Sequence, residues 1–427
     1  MMNHSLKSIS FKSFSVIVLF IGIWTVAYAT NFSSGKVAGF QSVHLSKTKN
    51  LTVLHIKALL HVKKALKEGN EYYKPALSTL LRAADKALNS GPYSVTNKSR
   101  TPISGDKKDY LSIGYYWWPD PQKPDGLPWV RKDGQKNPSV DGDGYDLKRK
   151  NKMFNNTYRL ALAHFFTGNR EYADKAIELL KVWFLNPETS MNPNLNYAQG
   201  IPGKNHGRGI GIIEFIGILD IITAIELLEQ NDTLDTRTSQ GLRHWTAAYL
   251  NWLQKSENGV FEKNTKNNHS TWYDAQEVGL LLFLNRADEA KAVLEKAKEI
   301  RIPTQITADG RQPLELARKR PLHYSIYNLM AFTHLANFGK KLEVDLWNYT
   351  PTNGGGIKRA FDFLYPFATR EKEWELAEIS SLDKEIAILQ ELFLMAGSTF
   401  NVQAYCEIDK IKDVQDGLIL LVYPCPL

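Results

Sequence analysis

The chain has 427 residues, enough to bury a large core as one big domain or two. Its composition is ordinary for a globular protein, with 11% aromatic residues and a formal charge of +8. No block of lysine and arginine stands out in the body of the chain, which counts against a nucleic-acid partner and leaves an acidic ligand open.

At the N-terminus, Lys7 and Lys12 precede an apolar run from Phe14 to Val26, and Ala27-Tyr28-Ala29 reads as a small-x-small cleavage site. That pattern describes a signal peptide over residues 1–29. The run is short for a membrane span, so the expected product is secreted or periplasmic and free of the membrane. Losing the two leader lysines brings the charge from +8 to +6. The only cysteines are Cys406 and Cys425, and in an exported protein they can form one disulfide that ties down the C-terminal tail. No cysteine–histidine metal spacing is present.

Apolar residues recur at three- and four-residue spacing over 51–67 and 73–88, and Asn89-Ser90-Gly91-Pro92 ends the second run. The two read as a helical hairpin. Residues 93–144 are then irregular and rich in Pro, Gly, Asp and Lys, with Tyr115-Tyr116-Trp117-Trp118-Pro119-Asp120-Pro121 inside. A loop of this length is either functional or disordered, and four consecutive aromatics argue against disorder. Rings beside charged groups suit the apolar face of a pyranose, which makes Trp117 and Trp118 candidate sugar contacts. Helical patterning resumes at 147–167 and 170–185, and residues 210–228 read as a buried core helix. Further helices are expected at 236–255, 268–284, 287–300, 321–338, 357–365 and 384–396, and residues 417–423 carry a strand signal. Successive helices joined by short turns predict an all-α ring or arc of hairpins, with loops at one end forming a cleft.

Two stretches carry the chemistry. Lys266-Asn267-Asn268-His269-Ser270-Thr271-Trp272 opens a helix, where free N–H groups and the helix dipole favour an anion. Arg320-Pro321-Leu322-His323-Tyr324-Ser325-Ile326-Tyr327 starts another, with Arg320 and Tyr327 two turns apart on one face. Removing the weakly acidic C5 proton of a uronate requires three things. Its carboxylate must be neutralised, a base must take the proton, and an acid must protonate the leaving oxygen at C4. Asn268, His269, Arg320 and Tyr327 supply these functions. Histidine is the ordinary base near neutral pH, and tyrosine can serve as the acid or, ionised beside arginine, in both roles. The reaction calls for no metal or cofactor.

Asn267-Asn268-His269-Ser270 followed by an aromatic, with Arg320, Tyr324 and Tyr327 downstream, resembles the alginate lyase superfamily. The likeness is to polysaccharide lyase families 38 and 5, and the extended tryptophan loop leans toward family 38. The resemblance implies an incomplete (α/α) toroid with the long aromatic loop over the cleft. The lyase domain would span 30–372, and 373–427 would complete it or form a small appendage. It also implies that Asn268 and Arg320 neutralise the carboxylate, that His269 is the base or its partner, and that Tyr327 is the acid or both acid and base. Trp117 and Trp118 would form a lid or subsite wall. Tyr324 would face substrate, and the stretch from Asn194 to Gly209 would bring Tyr197, His206 and Arg208 to it. The substrate implied is a β-1,4-linked polyuronate, alginate or glucuronan, cleaved by β-elimination by a monomeric enzyme.

Two other classes compete. A helical glycoside hydrolase would use two carboxylates, for which Asp143, Asp146, Glu214 and Asp274 are available without forming a persuasive pair in sequence. A non-catalytic glycan-binding protein would use the tryptophans as a platform.

Overall fold

The computed structural model describes residues 49–230, 232–410 and 417–425, so the leader read at 1–29 lies outside the described residues. In chain order the first helices are α1 (Ile56–Lys67), α2 (Lys74–Leu88), α3 (Leu147–Thr167), α4 (Arg170–Phe184) and α5 (Ile218–Glu229). Next come α6 (Thr236–Lys255), α7 (Glu257–Lys263), α8 (Asn268–Phe283), α9 (Ala287–Lys296) and the single turns α10 (Ile302–Gln305) and α11 (Pro313–Leu316). The last are α12 (Pro321–Leu342), α13 (Ile357–Ala368), α14 (Leu382–Phe400), α15 (Gln403–Cys406) and α16 (Leu418–Val422).

Helices α3, α5, α8, α12 and α14 form the inner layer. Nearly every residue of α5 and α8 is buried, whereas α4, α6 and α9 bury one face only. Neighbours in the inner layer pack as α3 on α5, α5 on α8, α8 on α12 and α12 on α14, while short α16 touches α14, α1 and α2. This is an incomplete (α/α) toroid. Strands are few: β1 (Leu111–Ile113) pairs in parallel with β4 (Tyr197–Gly200), and β2 (Trp117–Trp118) pairs antiparallel with β3 (Val130–Arg131). No helix among the described residues is long and apolar enough to cross a membrane.

Several expectations shift. Helix α1 begins at Ile56 rather than 51, because side chains take the backbone groups of 51–54 before a helix can. Lys341 Nζ donates to the carbonyls of Leu51, Thr52 and Leu54 at 2.9, 2.7 and 3.1 Å. Glu226 accepts from the Thr52 N–H at 2.7 Å, and Asn337 Nδ2 donates to Val53 O at 2.7 Å. This clasp holds the start of the chain to α5 and α12. Lys341→Met should therefore lower unfolding free energy by about 3 kcal/mol, read as a lower denaturant midpoint, since three carbonyls and a buried carboxylate lose their cation.

The apolar run at 210–228 is not one helix. A 3₁₀ segment, Gly209–Phe215, precedes α5, and the break turns Glu214 into the cleft described below. The expected strand at 417–423 is instead α16. A five-residue apolar run has no period to decide between the two, and packing on α2 and α14 decides it. Cys406 and Cys425 are joined in a disulfide that fixes the segment carrying α16 to the end of α15.

The long loop 93–144 is ordered by a buried ion pair at its two ends. Lys98 Nζ lies 3.0 Å from Asp146 Oδ2 with both side chains fully buried, and the lysine also donates to the carbonyls of Val95 and Lys107. Asp146 in turn accepts from the Leu111 N–H at 2.8 Å, which seats β1 beside the start of α3.

Candidate active site

The N-terminal ends of α3, α5, α8 and α12 open into one cleft of about 910 Å³. Asn268, His269, Arg320, Tyr324, Tyr327, Trp117 and Arg208 all line it, so the two stretches 266–272 and 320–327 do meet. Helices α8 and α12 are neighbours, and the Trp272 and Tyr327 rings touch between them with centroids 5.2 Å apart.

His269, the first residue after Asn268 on α8, points Nδ1 at Glu262 Oε1, 2.6 Å away. Glu262 sits near the end of α7 and is fully buried. A carboxylate can only accept, so in the neutral ring Nδ1 carries the hydrogen that it donates and the lone pair is left on Nε2. Asn268 is bound twice to one buried carboxylate: its N–H and Nδ2 donate to Glu315 Oε1 and Oε2, each at 2.7 Å. The side-chain Oδ1 of Asn268 is buried with no hydrogen-bond partner among the described residues.

Arg320 is the residue preceding α12. Its guanidinium donates to Glu385 Oε1 at 2.8 Å, and its Nε lies 4.0 Å from Glu378 Oε1. Glu385 also takes His323 Nδ1 at 3.0 Å. Burial alone would raise the Glu385 carboxyl, but hydrogen bonds from His323, Ser380 and Arg320 hold it down at about 2. Tyr327 lies one turn below His323, the two rings nearly parallel at 5.9 Å. Burial pushes its phenol well above the ordinary value, and Tyr116, Glu262 and Glu214 push the same way. The phenol is therefore a proton donor at rest.

The aromatic loop closes over this floor. Tyr116 Oη meets Tyr324 Oη at 2.7 Å, and Asp133 pairs with Arg318 at 2.8 Å while the Arg318 guanidinium lies 3.8 Å over the Tyr324 ring. Trp117 faces the cleft with Lys204 Nζ 4.4 Å from its ring centroid. Arg208 is turned inward by Gly207, where a Cβ would come within 2.0 Å of Asn196 O. Its guanidinium then donates to Gln199 O at 3.0 Å and Gln199 Oε1 at 2.9 Å.

Three residues singled out from sequence are not part of the cleft wall. Trp118 points the other way along β2, donating Nε1 to Gln135 O at 3.0 Å with Lys132 over its ring. Tyr197 is in register with Leu111 in the β1–β4 ladder, and His206 is exposed in the turn that follows. Of the four carboxylates weighed for hydrolysis, only Glu214 reaches the cleft. Asp146 is held by Lys98, Asp274 by Arg301 at 2.8 Å, and Asp143 is exposed.

The carboxylates Glu262, Glu315 and Glu385 were missed in the sequence. Glu262 is seven residues before His269 across a break between helices, and Glu385 is more than sixty residues beyond Arg320, so no spacing rule connects them.

This helical toroid, with amide, imidazole, guanidinium and phenol converging on one cleft, is that of a polysaccharide lyase. The chain belongs to the alginate lyase family, whose model matches residues 94–374. It is similar to an alginate lyase of Bacteroides ovatus at 36% identity and a TM-score of 0.83, over 88% of this chain and 100% of that one. It shares its fold with alginate lyase A1-III of Sphingomonas species A1, at 16% identity and a TM-score of 0.56, over 89% and 97% of the two chains. A histidine-to-alanine variant of the latter, complexed with a tetrasaccharide, matches at 15% identity and a TM-score of 0.54 over 90% of this chain and 98% of that one. No curated protein sequence matches.

Proposed function

We propose that the enzyme cleaves alginate, a 1,4-linked polyuronate whose mannuronate residues are β-linked, by β-elimination, with His269 as a base, Tyr327 as the acid, and Asn268, Arg320 and Arg208 receiving the uronate carboxylate. The observation that carries this reading is the buried Glu262 at 2.6 Å from His269 Nδ1, in the same cleft as a phenol held in its protonated form. His269 Nε2 takes the C5 proton, and the resulting imidazolium is stabilised by Glu262. The electron pair forms the C4–C5 double bond, the C4–O bond breaks, and the departing oxygen takes the Tyr327 proton.

Charge favours a polyanion. Six lysine and arginine side chains line the cleft against three aspartate and glutamate side chains. Four helix N-termini add their partial positive charge at the same place. Names of similar proteins point to alginate rather than glucuronan. An N-terminal leader and export remain part of this reading, resting on the sequence of residues 1–29, as does a monomeric lyase domain over 30–372 with 373–427 completing it.

The test is an ultraviolet time course with polymannuronate, polyguluronate, glucuronan and a neutral glucan. Absorbance of the conjugated double bond should rise on an alginate block polymer. Reducing ends without that absorbance would sink elimination in favour of hydrolysis.

A further inference from the structure

The cations that line the cleft are not equally free to meet an anion. Arg131 and Arg318 pair with Asp133, Lys136 pairs with Asp141, and Arg320 pairs with Glu385. Lys150 is buried and donates to the Glu214 carbonyl. Arg208 is held differently. It is partly exposed, its guanidinium lies 5.8 Å from the Trp117 ring centroid, and it donates to two neutral oxygens of one residue. Nε reaches Gln199 O at 3.0 Å and Nη2 reaches Gln199 Oε1 at 2.9 Å. The carboxylates of Glu214 and Glu262 act on it through space, without a hydrogen bond.

The residue that holds Arg208 carries backbone strain. Gln199, near the end of β4, has a φ of 49°, in the left-handed region that glycine enters freely and other residues seldom do. Its N–H donates to Ser112 Oγ at 2.7 Å, and Ser112 in turn donates to buried Glu214 Oε2 at 2.7 Å. The serine hydrogen is thus committed to the carboxylate, and its lone pairs remain for the Gln199 N–H. In this bend the carbonyl and the side-chain oxygen of one residue both face the same guanidinium. Glycine would relieve the strain but has no Oε1. A strained, non-glycine residue in a cleft wall points to a use for its side chain.

We propose that Gln199 is a positioning residue that sets the preference for anionic sugars: it fixes Arg208 through uncharged oxygens, so the guanidinium meets a uronate carboxylate with its charge uncancelled. A carboxylate in place of the amide would hold the guanidinium at least as firmly and would cancel that charge. Arg131, Lys136, Arg318 and Arg320 each bring a carboxylate of their own into the cleft. The side-chain charge that separates a uronate from a neutral sugar is therefore concentrated at Arg208. This rests on the reading above that Arg208 receives the substrate carboxylate.

The experiment measures KM and kcat on alginate for the wild type, Gln199→Glu and Gln199→Gly, each with a thermal melt. Calorimetric binding of an alginate tetrasaccharide is measured for the same variants in a Tyr327→Phe background, where turnover does not intrude. Gln199→Glu keeps the shape of the side chain and gains an ion pair, so its melting temperature should equal or exceed that of the wild type. It should nevertheless raise KM and weaken tetrasaccharide binding by about 10-fold or more, with kcat changed little. A residue with a merely structural role would show the opposite, since the ion pair would secure Arg208 and leave binding intact. Gln199→Gly keeps the carbonyl bond, relieves the strain and loses Oε1. It should also raise KM while leaving kcat and the melting temperature close to the wild type, and it decides the matter if Gln199→Glu does not fold. Unchanged KM and tetrasaccharide affinity, or a loss confined to kcat, would overturn the role of Gln199. A wild type that forms no unsaturated product would overturn the elimination reading instead, and the tetrasaccharide affinities would still decide the role of Gln199.

Discussion

Tyr327→Phe is expected to lower kcat by about 10²- to 10⁴-fold on every substrate the enzyme cleaves, with melting temperature and KM close to the wild type. The substitution removes one oxygen and keeps the ring contacts with Trp272 and His323 that hold the helix pair together. The loss should be in kcat because proton donation to the departing oxygen is needed in the transition state and not in the bound ground state. The loss should fall on whichever alginate block polymers the enzyme cleaves, since proton donation to the departing oxygen is common to them. Retention of wild-type turnover would remove Tyr327 from the mechanism.

The second large effect is expected at Glu262, which touches no substrate in this scheme. Glu262→Gln should cost between about 10²- and 10⁴-fold in kcat on alginate, with KM changed little. A glutamine can present its amide to Nδ1 and so move the ring proton to Nε2, which disables the base without displacing the ring. It also removes the negative charge that stabilises the imidazolium. Steady-state kinetics with a matched thermal melt distinguish this from a packing defect, because a packing defect would lower the melting temperature while sparing the kcat of the folded fraction.

Much of this molecule was legible in the sequence, for identifiable reasons. Helices such as Leu147–Thr167 and Thr236–Lys255 have periodic apolar faces bounded by clear stops, and their limits could be read directly. That Asn268, His269, Arg320 and Tyr327 share one cleft was readable as an expectation, because each lies at or just inside a helix start, where local spacing fixes which side chains share a face. What supports them was not. Glu262, Glu315 and Glu385 act from other elements, and only the toroid's packing brings them within hydrogen-bond distance. His323 was in plain view within the motif, but its bond to Glu385 was not. Trp118 shows the converse limit. Four adjacent aromatics read alike in sequence, yet in the β2–β3 hairpin Trp117 faces the cleft while Trp118 does not.

The convergence of α3, α5, α8 and α12 on one opening bears on how a long polymer first meets the enzyme. Attraction that originates in backbone dipoles does not titrate, so it persists across the whole pH range in which the fold survives. It is, however, weakened by mobile ions, with a screening length of about 8 Å at physiological ionic strength. Encounter with a polyanion should therefore be governed by salt rather than by acidity. Added sodium chloride should slow capture of the chain, while a substrate already seated between His269 and the phenol is cleaved at an almost unaltered rate.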